Sequence, residues 1–150
     1  MKVFQFHLQK VLDVKEKEKE QAEWAFGKSV QRKNEEEWKL GKLEGLREQA
    51  TGMLHSAQSQ SQTVSISRLM EIARYRESVD RSISRQKATL YGCEQEVERC
   101  QRRLTEQMKE TQLWQKLRDK AQGQYLEALK QREQKEMDEI GTQLYLRKSN

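Results

Sequence analysis

Between Val79 and Ala128 the chain keeps one unbroken 4-3 spacing over fifteen positions, and eleven of them are apolar. They are Val79, Ile83, Gln86, Leu90, Cys93, Val97, Cys100, Leu104, Gln107, Thr111, Trp114, Arg118, Ala121, Tyr125 and Ala128. Hydrophobic residues make up 34% of the chain, so chance would place only about five on such a stripe. A seven-residue repeat held this long keeps one seam of a helix facing a partner helix, as a left-handed coiled coil requires. There is no proline to interrupt it.

The first part of the chain carries a weaker version of the same pattern. Phe4, Leu8 and Val11 open a stripe that thins through Lys15 and Glu18 and resumes at Ala22. Ala22, Phe26, Ser29, Lys33, Glu36, Leu40 and Leu43 follow, continued by Leu46, Ala50, Met53 and Ala57. Written this way the seam shifts by one residue near Ala25 and Phe26, a local discontinuity of the coiled coil. Gly41, Gly45 and Gly52 each cost a helix about 1 kcal/mol relative to alanine, which makes this arm the more bendable.

Between the two stripes lies a serine- and glutamine-rich stretch at 56–67, where the apolar spacing lapses. Serine competes for backbone hydrogen bonds and favours turns over helix interiors. The pattern predicts an all-α fold: two long helices in an antiparallel coiled-coil hairpin, the second longer than the first. One coiled-coil domain over 1–150 is expected, with a helix at about 3–57, a turn at about 58–66 and a helix at about 67–145. At 1.5 Å per residue the arms would be roughly 80 Å and roughly 120 Å long. Folding near residue 62 pairs residue i with about residue 124 − i, setting Phe4 near Lys120 and Leu12 near Gln112. Everything after about residue 124 then lacks a partner within the chain, although Tyr125, Leu129, Ile140 and Leu144 still offer apolar contacts.

Composition supports a narrow core. Charged residues make up 35% and the mean hydropathy is −1.11, too polar for a thick globular interior. The net charge is +5, but basic and acidic residues are interspersed, without the dense basic run of a nucleic-acid-binding arm. No apolar run is long enough to span a membrane. The opening residues lack the apolar stretch and cleavage site of a secretory signal. The expectation is a cytoplasmic protein.

Catalytic chemistry is poorly supplied. The two histidines, His7 and His55, sit far apart on the first arm, and no glycine-rich phosphate loop is present. Cys93 and Cys100 are seven residues apart, roughly 10 Å along a helix, too far for a disulfide or one shared zinc. Both read as small seam hydrophobes. Trp114 lies on the seam, while Trp24 and Trp38 lie off it, equally compatible with contacting a partner or flanking the core. The basic cluster of Arg68, Arg74, Arg76, Arg81, Arg85 and Lys87 is offset by Glu71, Glu77 and Asp80 and reads as a solvated flank, with contact to an acidic partner surface as the alternative. No cofactor, metal or small-molecule substrate is expected.

The opening Phe4-Gln5-Phe6-His7-Leu8-Gln9-Lys10-Val11-Leu12-Asp13-Val14-Lys15-Glu16 resembles the start of FliJ-type proteins of the bacterial flagellar export apparatus. Trp114-Gln115-Lys116-Leu117-Arg118-Asp119-Lys120 and Glu133-Gln134-Lys135-Glu136-Met137-Asp138-Glu139 look like later parts of that family. The resemblance implies an antiparallel two-helix coiled coil similar to the stalk subunit of rotary ATP synthases. It implies a non-enzymatic export component that binds the hexameric export ATPase with the end carrying both termini. It also implies contact with the cytoplasmic region of the export-gate membrane protein and with export chaperones, without nucleic acid. By motif position the ATPase-facing residues would be Phe4, Leu8, Gln134, Asp138 and Glu139. Gate contacts would fall on Leu43, Leu46 and Ala50 in the first arm, and on Tyr75, Val79, Ser82 and Gln86 in the second. A self-associating structural coiled coil of parallel continuous helices is the alternative.

Overall fold

The computed structural model describes residues 3–59 and 65–149. Two helices account for nearly all of them: α1, Gln9–Ser59, and α2, Ile66–Lys148. The fold class is the all-α, antiparallel two-helix coiled coil that the spacing predicts, with the second helix the longer.

The helix ends follow from local chemistry. Ser65 caps α2: its Oγ accepts a hydrogen bond from the Arg68 amide at 3.2 Å, satisfying one of the free donors of the first turn. Arg147 and Lys148 occupy the last turn of α2, where positive charge complements the helix dipole. At the end of α1 the Ser59 hydroxyl donates to Ser56 O at 3.2 Å. The predicted turn at about 58–66 falls largely on residues 60–64, which lie outside the described set. The start of α1 differs from expectation. Val3–Leu8 is not helical, and the helix begins only at Gln9, whose amide donates to Phe6 O at 3.0 Å.

The chain divides into two compact units, Ala22–Leu104 and the remainder, Met1–Gln21 with Thr105–Asn150. Within the first of these, the later part of α1 and the first part of α2 run antiparallel. Arg47 Nε pairs with Asp80 Oδ1 at 2.9 Å, and Gln86 Nε2 donates to Glu36 O at 3.1 Å. Ala22, Ala50, Val79, Ile83 and Cys93 form the buried apolar positions, joined by Ser29. In the second unit, the start of the chain packs antiparallel on the later part of α2. Leu12 is fully buried, Phe6 nearly so, and Thr111 is buried with its Oγ 2.8 Å from Gln107 O and 3.2 Å from Lys15 O.

On α2 the seam matches the predicted stripe. Fourteen of the fifteen positions are buried or half-buried, and only Ala128 is exposed. On α1 the seam differs in two places. The least exposed residues keep a single 4-3 spacing from Leu8 through Leu12, Lys15, Lys19 and Ala22 to Leu43, then Ala50, Leu54 and Ala57, with Arg47 at the intervening position but exposed. No shift occurs near Ala25 and Phe26, and Leu46 and Met53 point outward, 38% and 50% exposed. The reason is geometric. A straight seam must keep its spacing even where the next position is arginine or lysine, and those long side chains lay their stems on the seam while the charge stays in water.

The partner of Phe4 also differs. Its ring lies on Tyr125, with centroids 5.5 Å apart and an interplanar angle of 45°, rather than near Lys120. Non-helical chain advances about 3.3 Å per residue against 1.5 Å in a helix. The six residues before Gln9 therefore carry Phe4 further along α2 than a helix would.

Candidate partner-docking surfaces

In the unit that carries both ends of the chain, intramolecular packing stops at Tyr125. Every residue from Leu126 to Ser149 is exposed, yet α2 continues to Lys148, about 35 Å further. Seven large apolar side chains stand exposed on this extension: Leu126, Leu129, Met137, Ile140, Leu144, Tyr145 and Leu146. Five of them share one face. Leu126, Leu129, Met137, Ile140 and Leu144, with Glu133 between, fall at spacings of 3, 4, 4, 3 and 4. That is an eleven-residue repeat, which leaves a helix nearly straight or slightly right-handed. It is turned by roughly a quarter of the helix circumference from the intramolecular seam, taking 100° per residue. The extension carries five basic and five acidic residues, so net charge cannot drive docking there. Burial of the apolar face can, at about 1.5–3 kcal/mol for each side chain fully covered.

The sequence-predicted ATPase-facing residues divide between two settings here. Phe4 and Leu8 are half-buried against the beginning of the unit's helical pair. Gln134, Asp138 and Glu139 are exposed on the extension. Gln134 and Asp138 share a flank four residues apart, and Glu139 lies one step round the helix. None of these three lies on the apolar face. Leu126 and Met137 are the positions the sequence reading passed over, and the eleven-residue spacing is the signal that finds them.

The same unit holds an ion pair between Lys15 Nζ and Glu110 Oε2 at 2.9 Å. The hydrogen bond from Lys15 to Glu110 raises the lysine pKa above its ordinary value, with desolvation opposing it and Glu18 adding to it.

In the Ala22–Leu104 unit, the sequence-predicted gate contacts lie along one stretch, marked by the Arg47–Asp80 pair. Ala50 and Val79 are core, 0% and 5% exposed, and are covered by the coiled coil itself. Leu43 and Gln86 are half-buried on the seam. Gln86 Nε2 donates to the main-chain oxygen of Glu36 at 3.1 Å and also to its carboxylate. That hydrogen bond holds the Glu36 carboxyl below the ordinary glutamate value, against a smaller opposing effect of desolvation, with help from Lys39. Leu46 and Tyr75 are exposed and Ser82 half-buried, so these three remain able to meet a partner. Cys93 and Cys100 are both free thiols. Among the described residues no cluster of histidine, cysteine or carboxylate side chains has the arrangement of a metal site, and no helix is long and apolar enough to cross a membrane.

Two comparisons bear on this arrangement. The family described as "Flagellar FliJ protein" matches residues 4–150. Among solved structures the chain is similar to CT670 of Chlamydia trachomatis, described as a candidate YscO homolog. The TM-score is 0.67 at 21% sequence identity, covering 95% of this chain and 96% of that one. At that identity the likeness concerns the fold. No curated protein matches the sequence.

Proposed function

The chain belongs to the FliJ family of flagellar proteins, and from that premise we propose that it is a non-enzymatic coupling component of flagellar protein export. The unit with both chain ends binds the hexameric export ATPase, and the Ala22–Leu104 unit meets the cytoplasmic region of the export-gate membrane protein. One observation carries the reading: α2 runs on for more than six turns past Tyr125 with an apolar face that nothing among the described residues covers. A helix of that length exposing leucine, isoleucine and methionine on one face is a docking element, because helices in proteins gain most of their stability from packing an apolar face.

The work is recognition and positioning. Entry of the extension into the lumen of the ATPase ring buries the Leu126–Leu144 face, with Gln134, Asp138 and Glu139 meeting polar groups of the ring. Phe4 and Leu8 brace the base of the extension through the Phe4–Tyr125 contact. Binding to the assembled hexamer and not to separate subunits promotes assembly by mass action. Leu46, Tyr75 and Ser82 form the outward part of the gate-facing stretch, while Leu43, Ala50, Val79 and Gln86 hold that stretch in shape. Export chaperones dock on the same protein, which is peripheral to the membrane on its cytoplasmic side. Chemical energy comes from nucleotide hydrolysis by the partner.

Adding the purified chain to a flagellar export ATPase should raise hydrolysis and the fraction of hexamer seen by sedimentation. Unchanged hydrolysis and unchanged assembly, with both proteins folded, would overturn the coupling role.

A further inference from the structure

The segment Trp24-Ala25-Phe26-Gly27-Lys28 recurs fourteen residues later as Trp38-Lys39-Leu40-Gly41-Lys42. Fourteen residues are two heptads, so the same positions return to the same side of α1. Phe26 and Leu40 lie on the seam and explain themselves. The rest of the repeat does not serve this fold. Trp24 and Trp38 are 65% and 63% exposed, on the side of α1 facing away from the seam. Each carries a lysine ammonium over its ring, Lys28 at 4.7 Å and Lys42 at 3.9 Å. A Cβ added at Gly27 or Gly41 would meet nothing within 4 Å, so neither glycine is required by packing inside the molecule, and each weakens the helix relative to alanine. A shallow groove of about 620 Å³ lies beside Trp38 and a second of about 560 Å³ beside Trp24, the latter reaching round to Glu96 and Cys100 of α2; the two share Gln31 and Glu35.

We propose that this outer face of α1 pairs with the same face of a second copy of the chain, antiparallel about a two-fold axis between Arg32 and Lys33. The face is its own complement. Setting residue i of one copy opposite residue 65 − i of the other places Trp24 against Gly41 of the second copy and Gly27 against its Trp38. Each bulky ring meets the gap that a missing side chain leaves, and the two-fold repeats both contacts. Charge agrees: Lys28 and Glu35 lie on the same flank of the face. In an antiparallel pair like flanks meet, so Lys28 of each copy comes beside Glu35 of the other. A foreign helix could fill one groove, but no foreign partner is needed to account for tryptophan, glycine and charge together, and an isologous contact accounts for all three.

The contact is small. Each tryptophan buries about 150–250 Å² when fully covered. Four of them with the residues between reach on the order of 1,000 Å², the lower edge of specific interfaces. Association is therefore weak and concentration-dependent, of order tens of micromolar or weaker.

Equilibrium sedimentation of the full chain over a wide concentration range, with tryptophan emission followed in parallel, tests the pairing. A reversible monomer–dimer equilibrium is expected, with emission shifting to shorter wavelength as dimer forms. Gly27→Leu with Gly41→Leu should raise the melting temperature of the monomer, because leucine is the better helix former, while weakening dimerisation at least about tenfold. Lys28→Glu alone should weaken it, and Lys28→Glu with Glu35→Lys should restore it. A chain that stays monomeric at its highest soluble concentration overturns the proposal. So does a dimer indifferent to the glycine substitutions, or one that the charge swap fails to rescue.

Discussion

Gln86 reaches from α2 to Glu36 on α1 and donates its side-chain amide to both the carboxylate and the main-chain oxygen of that one residue. A polar pair on the seam of a coiled coil costs packing but fixes register and orientation, since a slip by one position strands both groups.

This contact gives the protein an acid-sensitive element. The folded-state pKa of Glu36 is depressed, chiefly by the Gln86 hydrogen bond. Its contribution to stability is thus fully present above the ordinary glutamate pKa and is lost as pH falls through the lower, folded value. In Gln86→Ala the carboxyl should titrate nearer its ordinary value, and the acid loss of stability should be shallower. Carboxyl NMR titration of Glu36, with thermal melts across the acidic range, checks both.

Lys15 behaves with the opposite sign. Its pKa is raised by Glu110, so the contribution is complete below the ordinary lysine value and disappears as pH rises through the folded one. Glu110→Gln should remove this alkaline sensitivity in melts followed to high pH, with little effect at neutrality, because Glu110 is exposed and Lys15 only half-buried, so water screens the pair.

Gln107 carries a buried side-chain oxygen with no hydrogen-bond partner among the described residues. An unpaired buried acceptor costs about 1–3 kcal/mol. Gln107→Leu extends the apolar stripe from Leu104 by one position and should raise stability by about 1–2 kcal/mol in urea titrations. A loss of stability would mean the oxygen is paired in solution.

The register of α1 can be tested by two neighbours. Leu12 is fully buried while Val11 is only half-buried. Leu12→Ala should cost about 2–5 kcal/mol and Val11→Ala distinctly less. Equal costs would restore the shifted seam read from the sequence.

These contrasts show what the sequence could reveal. The α2 seam was legible because eleven of its fifteen positions are apolar and nothing interrupts them. On α1, Lys15, Lys19, Lys33, Glu36 and Arg47 occupy seam positions. Apolar neighbours such as Val11, Leu46 and Met53 therefore drew the stripe off its true line. The uncovered end of α2 was legible too, since the break near residue 62 and the two arm lengths imply it. The apolar face of that end was only half visible, because its eleven-residue spacing differs from the repeat that precedes it. Phe4 was misplaced for another reason: hydrophobic spacing does not reveal that the first residues are extended.

The extension beyond Tyr125 is the element on which the coupling role depends most. A chain ending at Tyr125 keeps every buried core residue, so its melting temperature should stay within a few degrees of the full-length value. Titrating full-length and truncated chains against the purified export ATPase, with hydrolysis and sedimentation as readouts, then isolates the role of the extension. The account predicts that the folded, truncated chain neither binds nor stimulates the ATPase, while full-length protein does both. Equal stimulation by the two chains would contradict it.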